Sequence, residues 1–208
     1  MRGIFFNFTL QIKHMNKALL FILGFFLSFS IYAQEKPEGL FINSKAPDFK
    51  GKDQDGNEVR LKDQLKKGSV VLVFYRGEWC PYCNKHLRRL QDSLSLITEK
   101  GAQLIAITPE KSTSVSKTRE KTGATFTIIS DEKQKIMKAY EVSFALDEKT
   151  IKRYKSFDID IEGNNGDNGA FLPVPAIYII NKEGSITYRF FNEDYKKRPS
   201  VKEIVENL

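Results

Sequence analysis

Cysteine is scarce in this chain: its 208 residues hold two, Cys80 and Cys83, beside one tryptophan and two histidines. Two cysteines three positions apart exclude a disulfide-stapled scaffold, whose bridges tie distant segments together. In the loop-entropy treatment a bridge across so short a loop contributes roughly 2 kcal/mol, against about 3 for a fifteen-residue loop. Stability is therefore a poor reason for the pair. Acid is missing from the start of the chain: residues 1–33 contain no Asp or Glu, and their full charges are Arg2, Lys13 and Lys17. No apolar run reaches the length of a membrane span, since Ala18 to Tyr32 is fifteen residues where a crossing takes about twenty. Clustered basic runs interleaved with aromatics are absent as well, so a nucleic-acid surface has no electrostatic footprint.

Residues 1–33 have the layout of an export signal. Met15-Asn16-Lys17 is a short basic start, Ala18 to Tyr32 is almost wholly apolar, and Ala33 is a small residue at which a signal peptidase could cut. We read residues 1–33 as a signal peptide, with Met15 as a second possible initiator and an uncleaved anchor as the alternative. Loss of that segment removes three cations from a net charge of +7, leaving +4 on residues 34–208. A mature chain of this length fits one domain. Contact with a membrane is expected only through the export signal.

Residues 34–208 alternate strand and helix patterns, which implies an α/β fold with a central sheet. Ala46 to Phe49 opens a hairpin, with Asp55-Gly56 as its turn and Glu58 to Leu61 returning. Ser69 to Tyr75 is an unbroken β-branched and aromatic run, suited to a strand buried on both faces. From Pro81 onward Leu87, Leu90, Leu94 and Ile97 make the stripe of an amphipathic helix ending near Gly101. Gln103 to Ile107 and Phe126 to Ile129 read as further strands, and Ser112 to Thr122 and Asp131 to Tyr140 as helices. Residues 145–170 read as an insertion: a helical piece from Glu148 to Ser156, then a mobile loop from Glu162 to Gly169. Ala176 to Ile180, a turn at Lys182 to Gly184 and Ser185 to Phe191 form a closing antiparallel hairpin. Ser200 to Glu203 has the capping-box form of a last helix.

Strand, Cys80-Pro81-Tyr82-Cys83, helix is the order that gives the cysteines a chemical use. A thiol attacks disulfides and peroxides as the thiolate, so a redox cysteine needs its pKa lowered from about 8.5. Cys80 at a helix N-cap would face unpaired N–H groups and the positive end of the dipole, with Pro81 suited to the first turn. Cys83, one turn on, is the more sheltered partner, which makes Cys80 the better first nucleophile towards a protein substrate. Trp79 and Tyr82 flank the pair, as a landing surface for a polypeptide or as plain packing. Arg76 could stabilise a thiolate, and Glu78 would oppose one if it pointed the same way.

The stretch Phe74-Tyr-Arg-Gly-Glu-Trp-Cys-Pro-Tyr-Cys83, with Ala46-Pro47-Asp48-Phe49 before it and Leu172-Pro-Val-Pro-Ala176 after it, resembles the alkyl hydroperoxide reductase/thiol-specific antioxidant family. More narrowly it resembles that family's peroxiredoxin-like CxxC branch. The likeness extends through Asn192-Glu-Asp-Tyr-Lys-Lys-Arg198. It implies a thioredoxin-like fold, a mixed sheet flanked by helices, and places a cis proline at Pro175 facing the CxxC, whereas Pro173 reads as a trans edge proline. It implies no cofactor and no metal.

The chain departs from its relatives at the site. Typical peroxiredoxins are similar around the strand but carry Pro-x-x-x-Thr-x-x-Cys and a distant Arg. Laid on this chain their Cys falls on Cys83, their Pro on Arg76, their Thr on Cys80 and their Arg on Pro175. The buried Asp of thioredoxins falls on Phe74. The resemblance therefore implies hydroperoxide reduction through a Cys80–Cys83 disulfide, restored by an external dithiol such as thioredoxin. The local residues, lacking three of the four peroxide-binding positions, argue instead for protein thiol–disulfide exchange through the same pair. A third reading, Cu(I) carriage by Cys80, Cys83 and His86, would need a surface histidine spread over two helical turns from its partners. A fourth is a binding-only role for the fold.

Overall fold

A computed structural model describes residues 36–208. The expected signal segment and its cut after Ala33 lie outside the described residues. A hairpin opens the fold, β1 (Lys50–Lys52) and β2 (Glu58–Arg60). Its turn is tied by the Asp53 carboxylate, which accepts from the Asp55 and Asn57 N–H groups at 2.9 and 2.8 Å. The turn is where Asp55-Gly56 predicts it, while the first strand begins beyond Phe49.

Seven strands form one mixed sheet in the order β2-β1-β5-β4-β3-β8-β9. Its parallel centre is β3 (Val70–Phe74), β4 (Gln103–Thr108) and β5 (Thr127–Ser130). β8 (Ala176–Ile180) runs antiparallel to β3, and β9 (Ile186–Phe191) antiparallel to β8. The continuous apolar run of β3 has its reason here: Val71, Val73 and Tyr75 enter one core, and Val70, Leu72 and Phe74 the other.

Helices cover both faces. The first core is filled by Leu87 and Leu90 of α2 (Pro81–Asp92), Ile97 of α3 (Leu94–Thr98), Val115 of α4 (Ser112–Thr122) and Ile204 of α8 (Val201–Glu206). The second takes Leu61 and Leu65 of α1 (Leu61–Leu65) and Ile136 and Met137 of α5 (Lys135–Ala139). Half of the capping box of α8 is made, the Ser200 hydroxyl accepting the Glu203 N–H at 3.1 Å, while the Glu203 carboxylate accepts from the Tyr188 hydroxyl at 2.8 Å.

Local departures from the sequence reading have local causes. The stripe from Leu87 to Ile97 is two helices, broken at Ser93 (φ −115°, ψ 18°). Asp131 to Tyr140 is likewise not one helix. Lys133 and Gln134 take left-handed conformations, and the Asp131 carboxylate caps α5 instead, accepting from Ile136 and Met137 N–H at 2.9 and 2.7 Å.

The largest correction concerns Glu162 to Gly169, expected as a mobile loop. After α6 (Glu148–Lys155) the chain forms α7 (Ile161–Asn165) and a 3-10 turn (Gly166–Asn168). Two buried amides hold it. Asn165 Nδ2 donates to the Gly169 and Phe171 carbonyls, both at 2.9 Å, and Asn168 Nδ2 to those of Pro109 and Asp131 at 2.6 and 2.8 Å. Composition identifies Asn and Gly as turn formers but cannot reveal that their amides find tertiary partners.

Pro175 is the second correction, for no cis peptide bond occurs among the described residues. A two-stranded sheet of β6 (Ser143–Ala145) and β7 (Phe171–Pro173) delivers the chain to β8 in an extended path. Hydrogen bonds hold that path on both sides of the Val174–Pro175 bond: Val174 N–H donates to the Val142 carbonyl at 2.8 Å, and the Pro175 carbonyl accepts from Asn192 N–H at 3.2 Å. The trans bond carries the chain straight across. Pro175 still borders the site, because Ala176 pairs with Phe74 at the end of β3.

Candidate active site

β3 ends at Phe74 and α2 begins at Pro81, so the loop between them and the first turn of α2 present the two cysteines at the carboxyl end of the parallel strands. Cys80 is the N-cap of α2 (φ −87°, ψ 107°), Pro81 occupies the first turn, and the Cys80 sulfur accepts the Cys83 N–H at 3.3 Å. Both cysteines are free thiols, each 1% exposed.

The two sulfurs differ electrostatically. Burial opposes a charge on Cys83, but it is outweighed by the Cys80 thiol as hydrogen-bond donor, the Arg198 charge, and the Arg76 backbone N–H and guanidinium. Cys83 is held below the ordinary thiol range. Cys80 goes the other way: its thiol is pushed up by donating to Cys83, by burial, and by the negative charge of Cys83, against a smaller pull from Arg76. The N-cap argument favours Cys80 as the nucleophile. The tertiary environment places the thiolate on Cys83.

After the Cys80 thiol, Arg198 is the next strongest pull on Cys83. It arrives from the loop between β9 and α8, where Nη1 donates to the Tyr195 and Lys197 carbonyls at 2.7 and 2.6 Å. Its Nη2 is thereby aimed at Cys83 Sγ, 3.4 Å away. Arg76 is 4% exposed. Its guanidinium lies 4.9, 5.5 and 4.4 Å from the ring centres of Trp79, Tyr154 and Tyr195, and it donates to the Tyr154 hydroxyl. Among the described residues neither arginine has a carboxylate ion-pair partner. Two cations are thus left to face the sulfurs. Glu78 does not oppose them, being paired with Lys117 at 3.7 Å and with Lys121 of α4.

The aromatic residues form a roof and a rim. Trp79 packs edge-on against Tyr154 of α6 at 5.1 Å, and Tyr82 against Tyr195 at 5.8 Å. Tyr82 and Tyr195 are 40% and 37% exposed, so the rim offers apolar surface to solvent.

His86 is not a surface residue. It is 5% exposed, and burial, with the Arg198 and Arg89 charges, pushes its imidazole down to about 3, so it is neutral. Its step of three from Cys83 sends it into the core instead of towards solvent. Among the described residues no group of three or more His, Cys, Asp or Glu is placed to hold a metal ion, so the Cu(I) reading finds no ligand set.

The structure thus brings together Arg76, Trp79, Cys80, Pro81, Tyr82 and Cys83, with Pro175 alongside. It adds Arg198, Tyr195, Tyr154 and the buried Glu110, which sequence reasoning gave no role. Arg198 and Tyr195 lie inside the Asn192–Arg198 stretch that carries the family resemblance, and that was their one signal. Tyr154 and Glu110 had none.

A free-thiol CxxC opening a helix on this sheet defines a thiol oxidoreductase of thioredoxin-like fold. The AhpC/TSA family model matches residues 42–189, and the chain belongs to that family. It is 30% identical over 190 residues to the thiol-disulfide oxidoreductase ResA of Geobacillus thermodenitrificans, covering 88% of this chain and 91% of the relative. To the chloroplastic peroxiredoxin Q of Triticum aestivum it is 29% identical over 168 residues, 79% of this chain and 66% of the relative. In fold it is similar to the peroxidoxin BcpB of Mycobacterium tuberculosis, with a TM-score of 0.61, 19% identity, and coverage of 80% of this chain and 94% of that one. Peroxiredoxin-like thiol chemistry is the function class of this enzyme.

Proposed function

We propose that this protein is an exported hydroperoxide reductase in which Cys83 attacks the peroxide and Cys80 resolves the product. The observation that carries the reading is the Cys83 sulfur, faced by Arg198 Nη2 at 3.4 Å and by the Cys80 thiol, with 1% of the residue exposed. A small hydroperoxide suits a thiolate beneath Arg76, Tyr154 and Tyr195 better than a polypeptide disulfide does. The Cys83 thiolate attacks one peroxide oxygen, the O–O bond breaks, and the leaving alkoxide takes a proton, giving Cys83 sulfenic acid and an alcohol. The Cys80 thiol then condenses with the sulfenic acid, forming the disulfide and releasing water. An external dithiol, thioredoxin-like, restores the pair by exchange and leaves as its own disulfide.

In this reading Arg76 and Arg198 stabilise the thiolate, Pro81 starts the helix that holds Cys83, and Pro175 and Trp79 wall the site. Tyr82 and Tyr195 are the rim on which the reductant lands. Export rests on the acid-free residues 1–33.

Stopped-flow oxidation of the reduced protein, followed by Trp79 fluorescence, tests the assignment. Hydrogen peroxide and an organic hydroperoxide should oxidise the wild type far faster than a free thiol. Cys83→Ser should abolish the reaction, and Cys80→Ser should stop it at a trappable sulfenic acid. Rates no better than a free thiol would overturn it. The resemblance to ResA favours a second reading, disulfide reduction with Cys80 attacking first. Trapping of a mixed disulfide by Cys83→Ser would be its signature.

A further inference from the structure

Glu110 is a carboxyl with 0% exposure, whereas among the described residues the other deeply buried acids, Glu78 and Asp131, have partners on both carboxylate oxygens. It follows β4, and Oε2 accepts the Glu78 N–H at 2.8 Å, inside the loop that leads to Cys80. Oε1 has no partner, and neither has the buried Trp79 Nε1. Both atoms crowd Gly77: a Cβ there would meet Trp79 Nε1 and stand 2.6 Å from Glu110 Oε1. The acid is therefore pressed against the backbone that positions the redox pair, and it has no cation as an ion-pair partner among the described residues.

Charge reaches Glu110 from each element around it. Burial dominates. Repulsion from Glu78 and Cys83 adds to it, while the Glu78 N–H and the Lys117 ammonium pull the other way, and the carboxyl is pushed up to about 8. Tyr75, at the end of β3, senses both Glu110 and Cys83. On the β5 side the Ser130 hydroxyl donates to the Glu110 carbonyl, and the Asp131 carboxylate is turned away to the N–H groups of α5.

We propose that Glu110 is the proton-storing group of the Cys80/Cys83 couple, holding a proton while Cys83 is a thiolate and releasing it once the disulfide has removed that charge. This rests on the disulfide cycle proposed above, whichever substrate feeds it. Without Glu110, two electrons and one proton convert the disulfide to the Cys83 thiolate and the Cys80 thiol. With it, the Glu110 carboxylate takes up a second proton as the thiolate appears. The electrons come from the external dithiol. Glu110 is a positioning residue acting through charge, since it does not touch the reacting sulfurs.

The test is a redox titration of the wild type and Glu110→Gln, against dithiol buffers of known potential, across the neutral range. Just below about pH 8 the wild-type equilibrium constant against a fixed potential should change about a hundredfold per pH unit. Above it the change should be about tenfold, a slope falling from about 60 to about 30 mV per unit for a two-electron couple. Glu110→Gln, which keeps the acceptor for Glu78 N–H, should give the shallow slope on both sides. Glu78→Gln should move the break to lower pH without removing it. A wild type with no break, or a Glu110→Gln variant that keeps it, overturns the proposal. If Glu110→Gln does not fold, oxidised-minus-reduced infrared spectra of the wild type decide: loss of a protonated-carboxyl band on oxidation supports the proposal, and an unchanged band overturns it. Absence of any titratable Cys80/Cys83 disulfide would overturn the oxidoreductase reading itself.

Discussion

Arg198 Nη2 stands 3.4 Å from Cys83 Sγ although the two residues are 115 positions apart in the chain. That contact, with the Cys80 thiol, turns the more sheltered cysteine into the more ionised one. Hydrogen bonds to a charged group contribute about 1.5–3 kcal/mol, and 1.36 kcal/mol corresponds to one pKa unit. Arg198→Met should therefore raise the Cys83 thiolate titration by about one to two units. Thiolate absorbance against pH reads the shift directly, and the hydroperoxide rate at neutral pH should fall with it.

The roof over Arg76 should control access as well as stability. Tyr195→Ala removes the ring 4.4 Å from the Arg76 guanidinium and the edge contact to Tyr82. A partly desolvated cation–π contact is worth about 1–2 kcal/mol, a fall of roughly 2–8 °C in melting temperature for a domain of this size. Alkylation of the cysteines by a small reagent, followed by mass, should become faster.

His86 sets part of the acid response. Its folded-state value is depressed from 6.5 to about 3, so between those values the unfolded chain takes up a proton that the folded one refuses. Lowering the pH through this window therefore favours unfolding, by about 1.4 kcal/mol per unit for one group. In denaturant titrations the stability of the wild type relative to His86→Gln should fall as the pH is lowered through this window. Asp131 and Glu110, raised to about 6 and about 8, act with the opposite sign and are common to both proteins, so the difference isolates His86.

Asn168 should matter more than a loop residue normally does. Asn168→Ala leaves the Pro109 carbonyl without its donor, while the Asp131 carbonyl keeps the Gln134 N–H at 3.2 Å, and an unsatisfied buried group costs about 1–3 kcal/mol. Limited proteolysis should open residues 162–169 in the variant and leave the wild type intact.

The order of elements was legible because it is written in short-range patterns. Val70 to Phe74 is apolar without a break because both faces of β3 are covered, and Ser200 sits three residues ahead of Glu203 because a helix starts there. Ser93 breaks the helix that the apolar stripe ran through, and Lys133 and Gln134 with positive φ break the segment after Asp131, since residue spacing is blind to a local turn of the backbone. Cys80 and Cys83 were found for the same local reason, a CxxC after a strand. Arg198, Tyr154 and Glu110 were not, because each reaches the site from a different element and none belongs to a periodic pattern.

Sequence by itself determined that this chain builds an α/β sheet with a redox pair at the start of a helix, since periodicity, turn chemistry and cysteine spacing act over a few residues. Only the tertiary structure decided which sulfur carries the charge, that Pro175 is trans, and that residues 162–169 are ordered. Those outcomes depend on burial and on charges brought together across the fold, and burial multiplies the effect of each charge by excluding the water that would screen it.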